Sequence, residues 1–340
     1  MADAIFEEPR LAEIYDELDP DRSDLDAYAA MAGEFGAESV LDVGCGTGTL
    51  ACLLAGRGLE VIAVDPAAAC LEVARRKPGA GDVRWVHGDV TDLPPLQVDL
   101  VTMTANVAQV FVTGQEWAET LAAVRGALRP GGRLVFESRD PARKAWLDWN
   151  RDHTYRRVAI PGAGPVETWI DLTDVQGSLV SFRTSFVFGR DGAMLTSGST
   201  LRFRSRGELT GSLAAAGLTV EEIRDAPDRP GREFVYIARR APTHTAGAHD
   251  SLSERGALRA LGYLELHVLV LLQATEAVAV NLGVVHEDVR SVGAGDEAVA
   301  LLRVEPLDGS LCHVAPYRGW IRVRAVRYPG RFSTRLSPDP

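Results

Sequence analysis

Between Ser39 and Glu137 short apolar runs alternate with stretches whose apolar positions recur every three or four residues. Val40–Val43, Val61–Val64, Val83–Val86, Leu100–Met103 and Leu134–Phe136 read as buried strands. Leu50, Leu53 and Leu54, then Trp117, Leu121, Val124 and Leu128, mark the apolar faces of helices between them. Strands separated by helices predict a mostly parallel, doubly wound α/β sheet. Leu11, Ile14, Tyr15 and Leu18 give the acidic first 30 residues a helical face.

From Tyr155 the period changes to two. Val166, Thr168, Ile170 and Leu172 form one alternating run. Val180, Phe182, Thr184, Phe186 and Phe188 form a second, and Leu195, Ser197, Ser199, Leu201 and Phe203 a third. Turn formers separate them at Pro161-Gly162, Gln176-Gly177 and Arg190-Asp191-Gly192, which predicts an antiparallel set with one apolar face. A helix over Glu208–Ala216, stopped by Gly217, and strands at Val220–Ile223 and Phe234–Ile237 follow.

Ala241–Ser253 is rich in Pro, Thr, Gly and His and reads as a linker, leaving 254–340 as an extension with no recognisable motif. Its apolar runs, Val268–Leu272, Ala277–Val280, Ala298–Leu302 and Ile321–Val326, suit strands or buried helices equally. The extension is a candidate dimerisation domain, making a homodimer one expectation. An extension without a selected role is the other.

Composition narrows the function classes. The 47 acidic and 36 basic residues give a net charge of −11, which repels phosphate backbones and anionic lipid. Neither nucleic acid nor a membrane is therefore the expected partner. The first residues lack the basic and apolar regions of a secretory leader, and Leu261–Val285 is too interrupted by polar groups to span lipid. A cytoplasmic protein is expected. Cys45, Cys52, Cys70 and Cys312 fit no metal spacing and are too few for a disulfide scaffold. The histidines at 244, 249, 267, 286 and 313 are irregularly spaced, so no metal is expected. Lys77 and Lys144 are the only lysines, which reads as a coding bias rather than chemistry.

The chemistry is concentrated in Val40-Leu41-Asp42-Val43-Gly44-Cys45-Gly46-Thr47-Gly48-Thr49. A strand runs through three alternate glycines into a helix near Thr49, where amide donors and close backbone approach suit a ligand. Asp65 ends the second strand, beside that loop at the carboxyl edge of the sheet, where it can accept the hydroxyls of a ribose. A dinucleotide fingerprint would place its third glycine where Thr49 stands.

The loop instead resembles that of class I S-adenosylmethionine-dependent methyltransferases. His87-Gly88-Asp89-Val90, Val98-Asp99-Leu100-Val101-Thr102-Met103 and Leu128-Arg129-Pro130-Gly131-Gly132 follow in that family's order. The resemblance covers residues 1–240. It implies a Rossmann-like, seven-stranded sheet with a reversed last strand, and an antiparallel lid insert at about 153–205. It also implies S-adenosyl-L-methionine as cofactor, held by Asp42, Gly44, Gly46, Gly48, Asp65, Pro66, Asp89, Val90 and Met103, with Tyr15 closing over the methionine end.

The lid resembles that of small-molecule N- and O-methyltransferases. In-line methyl transfer to a small-molecule acceptor is the implied reaction. A cofactor-binding sensor or partner-binding protein, and a protein or tRNA methyltransferase, stand as alternatives. Asn106 and His153 are the catalytic candidates. Glu137, Arg139 and Asp140 are further pocket candidates, and Trp146, Trp149 and Trp169 suit either an aromatic pocket or packing. The apolar lid face (Ile170, Leu172, Phe182, Phe186, Phe188) is expected to cover the acceptor site.

Overall fold

The computed structural model describes residues 2–242 and the strands 299–303, 320–328 and 331–338. Its contacts divide the chain into two units, Met1–Thr245 and Ala246–Pro340.

Helices α1 (Ala4–Glu7), α2 (Pro9–Leu18) and α3 (Asp24–Glu34) precede β1 (Ser39–Val43). Then come α4 (Thr49–Gly56), β2 (Glu60–Asp65), α5 (Ala68–Ala74), β3 (Val83–His87), β4 (Val98–Met103), α6 (Gly114–Ala127) and β5 (Leu128–Arg139). A short α7 (Arg151–Thr154) leads into β6 (Arg156–Ile160), β7 (Gly164–Gln176), β8 (Leu179–Phe188) and β9 (Met194–Arg202). The unit closes with α8 (Arg206–Ala215), β10 (Leu218–Asp225) and β11 (Glu233–Arg240).

The main sheet has seven strands in the order β10-β11-β5-β4-β1-β2-β3. β1 pairs in parallel with β2 and β4, and β11 runs antiparallel between β5 and β10. Every residue of β1 is buried, because helices cover both faces of the central strands. On one face Leu41, Val101 and Phe136 meet Trp117, Leu121 and Val124 of α6. On the other, Val40, Leu100 and Val235 meet Leu25 and Tyr28 of α3 and Leu50 and Leu54 of α4.

β5 is far longer than the apolar run that predicts it, since it absorbs the Pro130-Gly131-Gly132 turn. A Cβ on Gly132 would stand 3.0 Å from the carbonyl oxygens of both Arg129 and Asp99, so only glycine keeps the strand this close.

The second sheet runs β6-β7-β8-β9, wholly antiparallel. Its apolar face does not act as a single cover. Val166, Phe186 and Phe188 pack on Leu11, Ile14 and Leu18 of α2, while Phe182 and Phe203 pack edge-on against Trp149 and Trp146. Period-two alternation identifies that face but carries no record of its partner. The N-terminal helices, amphipathic and next in space, supply it.

In the second unit β12 (Val299–Arg303), β13 (Trp320–Tyr328) and β14 (Arg331–Pro338) form an antiparallel sheet, so two of the extension's apolar runs are strands. Val268–Leu272, Ala277–Val280, the linker from Thr243 onward, Cys312 and the five late histidines lie outside the described residues. Among the described residues no helix is long and apolar enough to cross a membrane.

All seven strands of the main sheet lie before Ala241. A chain ended after Arg240 is therefore expected to melt in one cooperative transition, read by far-ultraviolet circular dichroism. Loss of soluble protein would show that the first unit needs the residues beyond it.

Candidate functional site

The site grows from the turn after β1. Its first two amides, of Gly44 and Cys45, donate to the carbonyl of Val64 at 2.9 and 3.2 Å, so the loop hooks over the end of β2. Gly44, Gly46 and Gly48 all have positive φ, at 68°, 53° and 77°. The reasons for glycine differ. A Cβ at Gly44 would lie 2.7 Å from Val107, and one at Gly48 would lie 2.3 Å from Trp85 and 2.9 Å from Ala74. At Gly46 nothing stands within 4 Å. Two of the glycines are thus required by packing, whereas Gly46 faces open space where a ligand can reach the backbone.

Asp65 locks this loop. Its Oδ2 accepts from the Gly46 amide at 2.7 Å and its Oδ1 from the Ala67 amide at 2.8 Å. Burial pushes its carboxyl up, and the two amides partly offset that. Each oxygen keeps a second lone pair, enough to accept a pair of hydroxyls. Asp42 is buried beneath the loop. Thr102 Oγ1 donates to its Oδ1 at 2.8 Å, and burial pushes its carboxyl up to about 7. Asp89 accepts from the Thr91 amide at 3.1 Å and caps the turn after β3. Burial drives the Cys45 thiol well above its ordinary value, so it stays protonated and is a poor nucleophile.

The cover is built by α1 and α2. Thr47 Oγ1 donates to Asp16 Oδ1 at 2.6 Å, and Lys77 Nζ bridges Asp16 Oδ2 and Thr49 Oγ1, each at 2.6 Å. The Ile5 amide donates to Ser197 Oγ at 2.9 Å, and Ser199 Oγ donates to Asp3 at 2.6 Å. The N-terminal helices are therefore fastened to both the glycine loop and β9. The rings of Phe6 and Tyr15 meet at a tilt of 55° with centroids 5.5 Å apart.

Beneath it lies a cavity of about 440 Å³, within the usual range for ligand sites. Of the expected cofactor residues, Tyr15, Asp42, Gly44, Gly46, Asp65, Pro66, Asp89 and Val90 line it. Gly48 and Met103 do not: Gly48 is pressed on Trp85, and Met103 is wholly buried in the core against α6. Their side-chain positions serve packing, because the strand alternation turns Met103 away from the cavity.

Asn106 lies just outside the lining, 3% exposed, although Thr104, Ala105 and Val107 line it. Ala105 and Asn106 both adopt left-handed backbone, at φ 54° and 62°, a strained conformation for residues with side chains. A buried polar network holds them there. Glu137 accepts from the Asn106 amide at 3.1 Å and from the Tyr28 hydroxyl, and Glu233 accepts from Asn106 Nδ2 at 3.0 Å. Arg229 and Arg139 neutralise Glu233 at 2.9 and 3.5 Å. Glu137 and Arg139 thus support the edge of the site, and Asp140 caps the next turn.

His153 is exposed, with Nδ1 3.0 Å from Asn150 Nδ2, and does not reach the cavity. Trp169 donates to Asp171 at 3.0 Å and, like Trp146 and Trp149, stands outside the lining. Sequence reasoning missed the Asp16–Thr47–Lys77 clasp and the lining by Arg22 and Phe111. The rarity of lysine held one signal: Lys77, read as an accident of coding, sits where a cation is needed.

The site's residues fit S-adenosylmethionine. Gly46 leaves the cavity side of the loop bare, Asp65 presents spare acceptors, and the rings of Phe6, Tyr15 and Phe111 line the same cavity.

Residues 40–132 match a family model described as a methyltransferase domain. A cypemycin N-terminal methyltransferase from Streptomyces is 37% identical over 120 residues, covering 34% of this chain and 48% of that protein. A demethylmenaquinone methyltransferase from Clavibacter sepedonicus is 39% identical over 113 residues, covering 32% and 43%. The chain thus spans about half the length of the curated relatives it matches. Among solved structures, an S-adenosylmethionine-dependent methyltransferase from Clostridium acetobutylicum superposes with a TM-score of 0.58. It is 19% identical, over 69% of this chain and 99% of that one. A sugar N-methyltransferase from Streptoalloteichus gives 0.55 at 21% identity, over 65% and 87%. Both share the fold.

Two predictions follow from the geometry. Gly48→Ala combines positive φ with a clash against Trp85 and should lower the unfolding free energy by about 2–4 kcal/mol, against about 1–2 kcal/mol for Gly46→Ala. Urea titration of both variants checks this. Burial also lifts the Asp42 carboxyl from its ordinary 3.8 to about 7, so the folded state binds more protons than the unfolded one between those values. Stability is then expected to fall as pH rises from about 4 to 7. Asp42→Asn, which keeps the acceptor for Thr102, should flatten that slope in urea midpoints measured across the range.

Proposed function

Because the chain belongs, through its first unit, to the class I S-adenosylmethionine-dependent methyltransferases, we propose that it methylates a nitrogen or oxygen atom of a small molecule. The observation that carries this reading is the covered cavity over the glycine loop, with Asp65 and Asp89 on one side and the Thr104–Val107 turn on the other. When bound, S-adenosylmethionine supplies an electrophilic methyl group on a sulfonium. The loop amides and Gly46 take the cofactor against the backbone, Asp65 accepts its ribose hydroxyls, and Asp89 accepts from its adenine amino group.

The remaining residues align and enclose. Phe6 and Tyr15 exclude water from the reacting end, which favours a substitution that spreads charge. Asn106 acts as a positioning residue: its buried amide network holds the strained turn that shapes the far wall. Alignment alone accounts for a large part of such a rate enhancement. A hydroxyl acceptor needs a base, whereas an amine binding as the neutral form does not. A small acceptor is supported by the enclosure, since α1 and β9 roof the cavity, and by the acidic balance of the chain.

The test begins with mass spectrometry of small molecules that co-purify with the full chain, then a labelled-methyl screen against metabolite pools. Label transferred to a small molecule is the expected result, and cofactor that binds without turnover would sink the reading. Calorimetry with S-adenosylhomocysteine should show no binding to Gly46→Val, whose branched side chain enters the open space. Asp65→Asn should bind about tenfold to a hundredfold more weakly, as expected for losing a charged acceptor. Asn106→Ala should slow transfer by about tenfold or more through the released turn, and His153→Ala should leave it unchanged.

A further inference from the structure

The cavity is lined by six carboxylates, Asp3, Asp42, Asp65, Asp89, Glu116 and Glu119, and by one cationic side chain, Arg22, among the described residues. That cation is already paired, since Asp24 accepts from its Nε at 3.2 Å and from its Nη2 at 3.4 Å. Five of the acids brace the loop, a turn or a helix of the first sheet. Thr102 holds Asp42, the Gly46 and Ala67 amides hold Asp65, and the Thr91 amide holds Asp89. Glu116 closes the capping box of α6 with Thr113, and Glu119 accepts from Gln115 at 2.9 Å. Asp3 alone is fastened to the second sheet. Its Oδ2 accepts from Ser199 Oγ at 2.6 Å, its side chain does not cap α1, and its Oδ1 accepts from no group among the described residues. One oxygen is thus fixed and the other is available.

Helix α1 crosses the roof and says which end of the cavity Asp3 serves. At its last residue, Glu7 Oε2 accepts from the Ala68 amide at 3.1 Å, at the start of α5 and just beyond the end of β2. At its other end, Ser199 and Ser197 of β9 hold Asp3 and Ile5. β9 in turn reaches the connection after β4, where Arg202 Nη1 donates to the Val112 carbonyl at 3.0 Å. Asp3 therefore lies toward the wall built by Phe111 and the Thr104–Val107 turn, away from Asp65 at the end of β2.

Methyl transfer moves positive charge from sulfur to the attacking atom. A neutral amine that forms the N–C bond becomes an ammonium as the C–S electron pair returns to sulfur, and carboxylates nearby stabilise that ammonium. A hydroxyl must instead shed its proton, and the same acids oppose the negative charge its oxygen then gains.

We propose that the acceptor is an amine and that the Asp3 carboxylate receives its N–H, an assignment that rests on the methyl-transfer reading above. The hydrogen bond orients the nitrogen, Ser199 fixes the carboxylate, and the proton released by the methylated ammonium passes to water.

The test gives the full chain methyl-labelled S-adenosylmethionine and metabolite pools, either untreated or with primary and secondary amines capped by N-acetoxysuccinimide. Label should enter a small molecule of the untreated pool and be lost from the capped one. Label that survives capping would overturn the amine assignment. No label from either pool would overturn the methyl-transfer reading itself, and this assignment with it. Asp3→Asn keeps an acceptor for Ser199 but not the charge, and should lower kcat/KM for the labelled amine about tenfold to a hundredfold. Its affinity for S-adenosylhomocysteine, read by calorimetry, should stay within about twofold of wild type, which also shows that the variant is folded. Ser199→Ala frees the carboxylate without removing it and should give a smaller loss. An unchanged kcat/KM in Asp3→Asn would overturn the role of Asp3. A matching loss of S-adenosylhomocysteine affinity would overturn it too and return Asp3 to the roof alone.

Discussion

The contact between the Gly46 amide and the Asp65 carboxylate ties together what the rest of the molecule arranges. It joins the turn after β1 to the end of β2, and the Ala67 amide, on the other carboxylate oxygen, sets the entry to α5. The loop can make this contact only because three glycines accept positive φ. Two of them are also pinned by neighbours from β3 and from the turn after β4. The cavity wall is therefore a consequence of how four parallel strands end, rather than of a local loop preference.

Burying acids at that edge has a cost. Asp42, Asp65 and Glu137 are all less than a tenth exposed, and burial pushes each carboxyl up. Hydrogen bonds from Thr102, from loop amides and from Tyr28 offset part of the penalty without removing it. A chain selected for stability alone would place apolar residues there. Acids kept at such positions, together with the strained Ala105-Asn106 backbone, are in keeping with an edge shaped for a ligand.

The cover illustrates division of labour between elements. α2 is amphipathic: Leu11, Ile14 and Leu18 bury against β7 and β8, while Asp16 and Tyr15 on the flanking face meet the glycine loop and the cavity. Because one short helix serves both the second sheet and the loop, packing of the sheet and closure of the cavity are linked through it.

Much of this was legible in the sequence. The β1 to β4 strands, the helical faces of α4 and α6 and the period-two runs of β7 to β9 follow from spacing alone, because periodicity reports directly on which face is buried. Glycine spacing and the position of Asp65 located the loop, since backbone conformation there leaves few residue types. The tertiary structure alone decided what the apolar faces meet. Phe186 and Phe188 went to α2 rather than over an acceptor, because partner choice depends on elements about 170 residues away in the chain. It also separated Gly46 from Gly48, identical in the sequence, by what stands beside each missing Cβ. And it placed Lys77, Asp16 and Arg22 around the loop, because charges on different elements acquire meaning only when folding sets the distance between them.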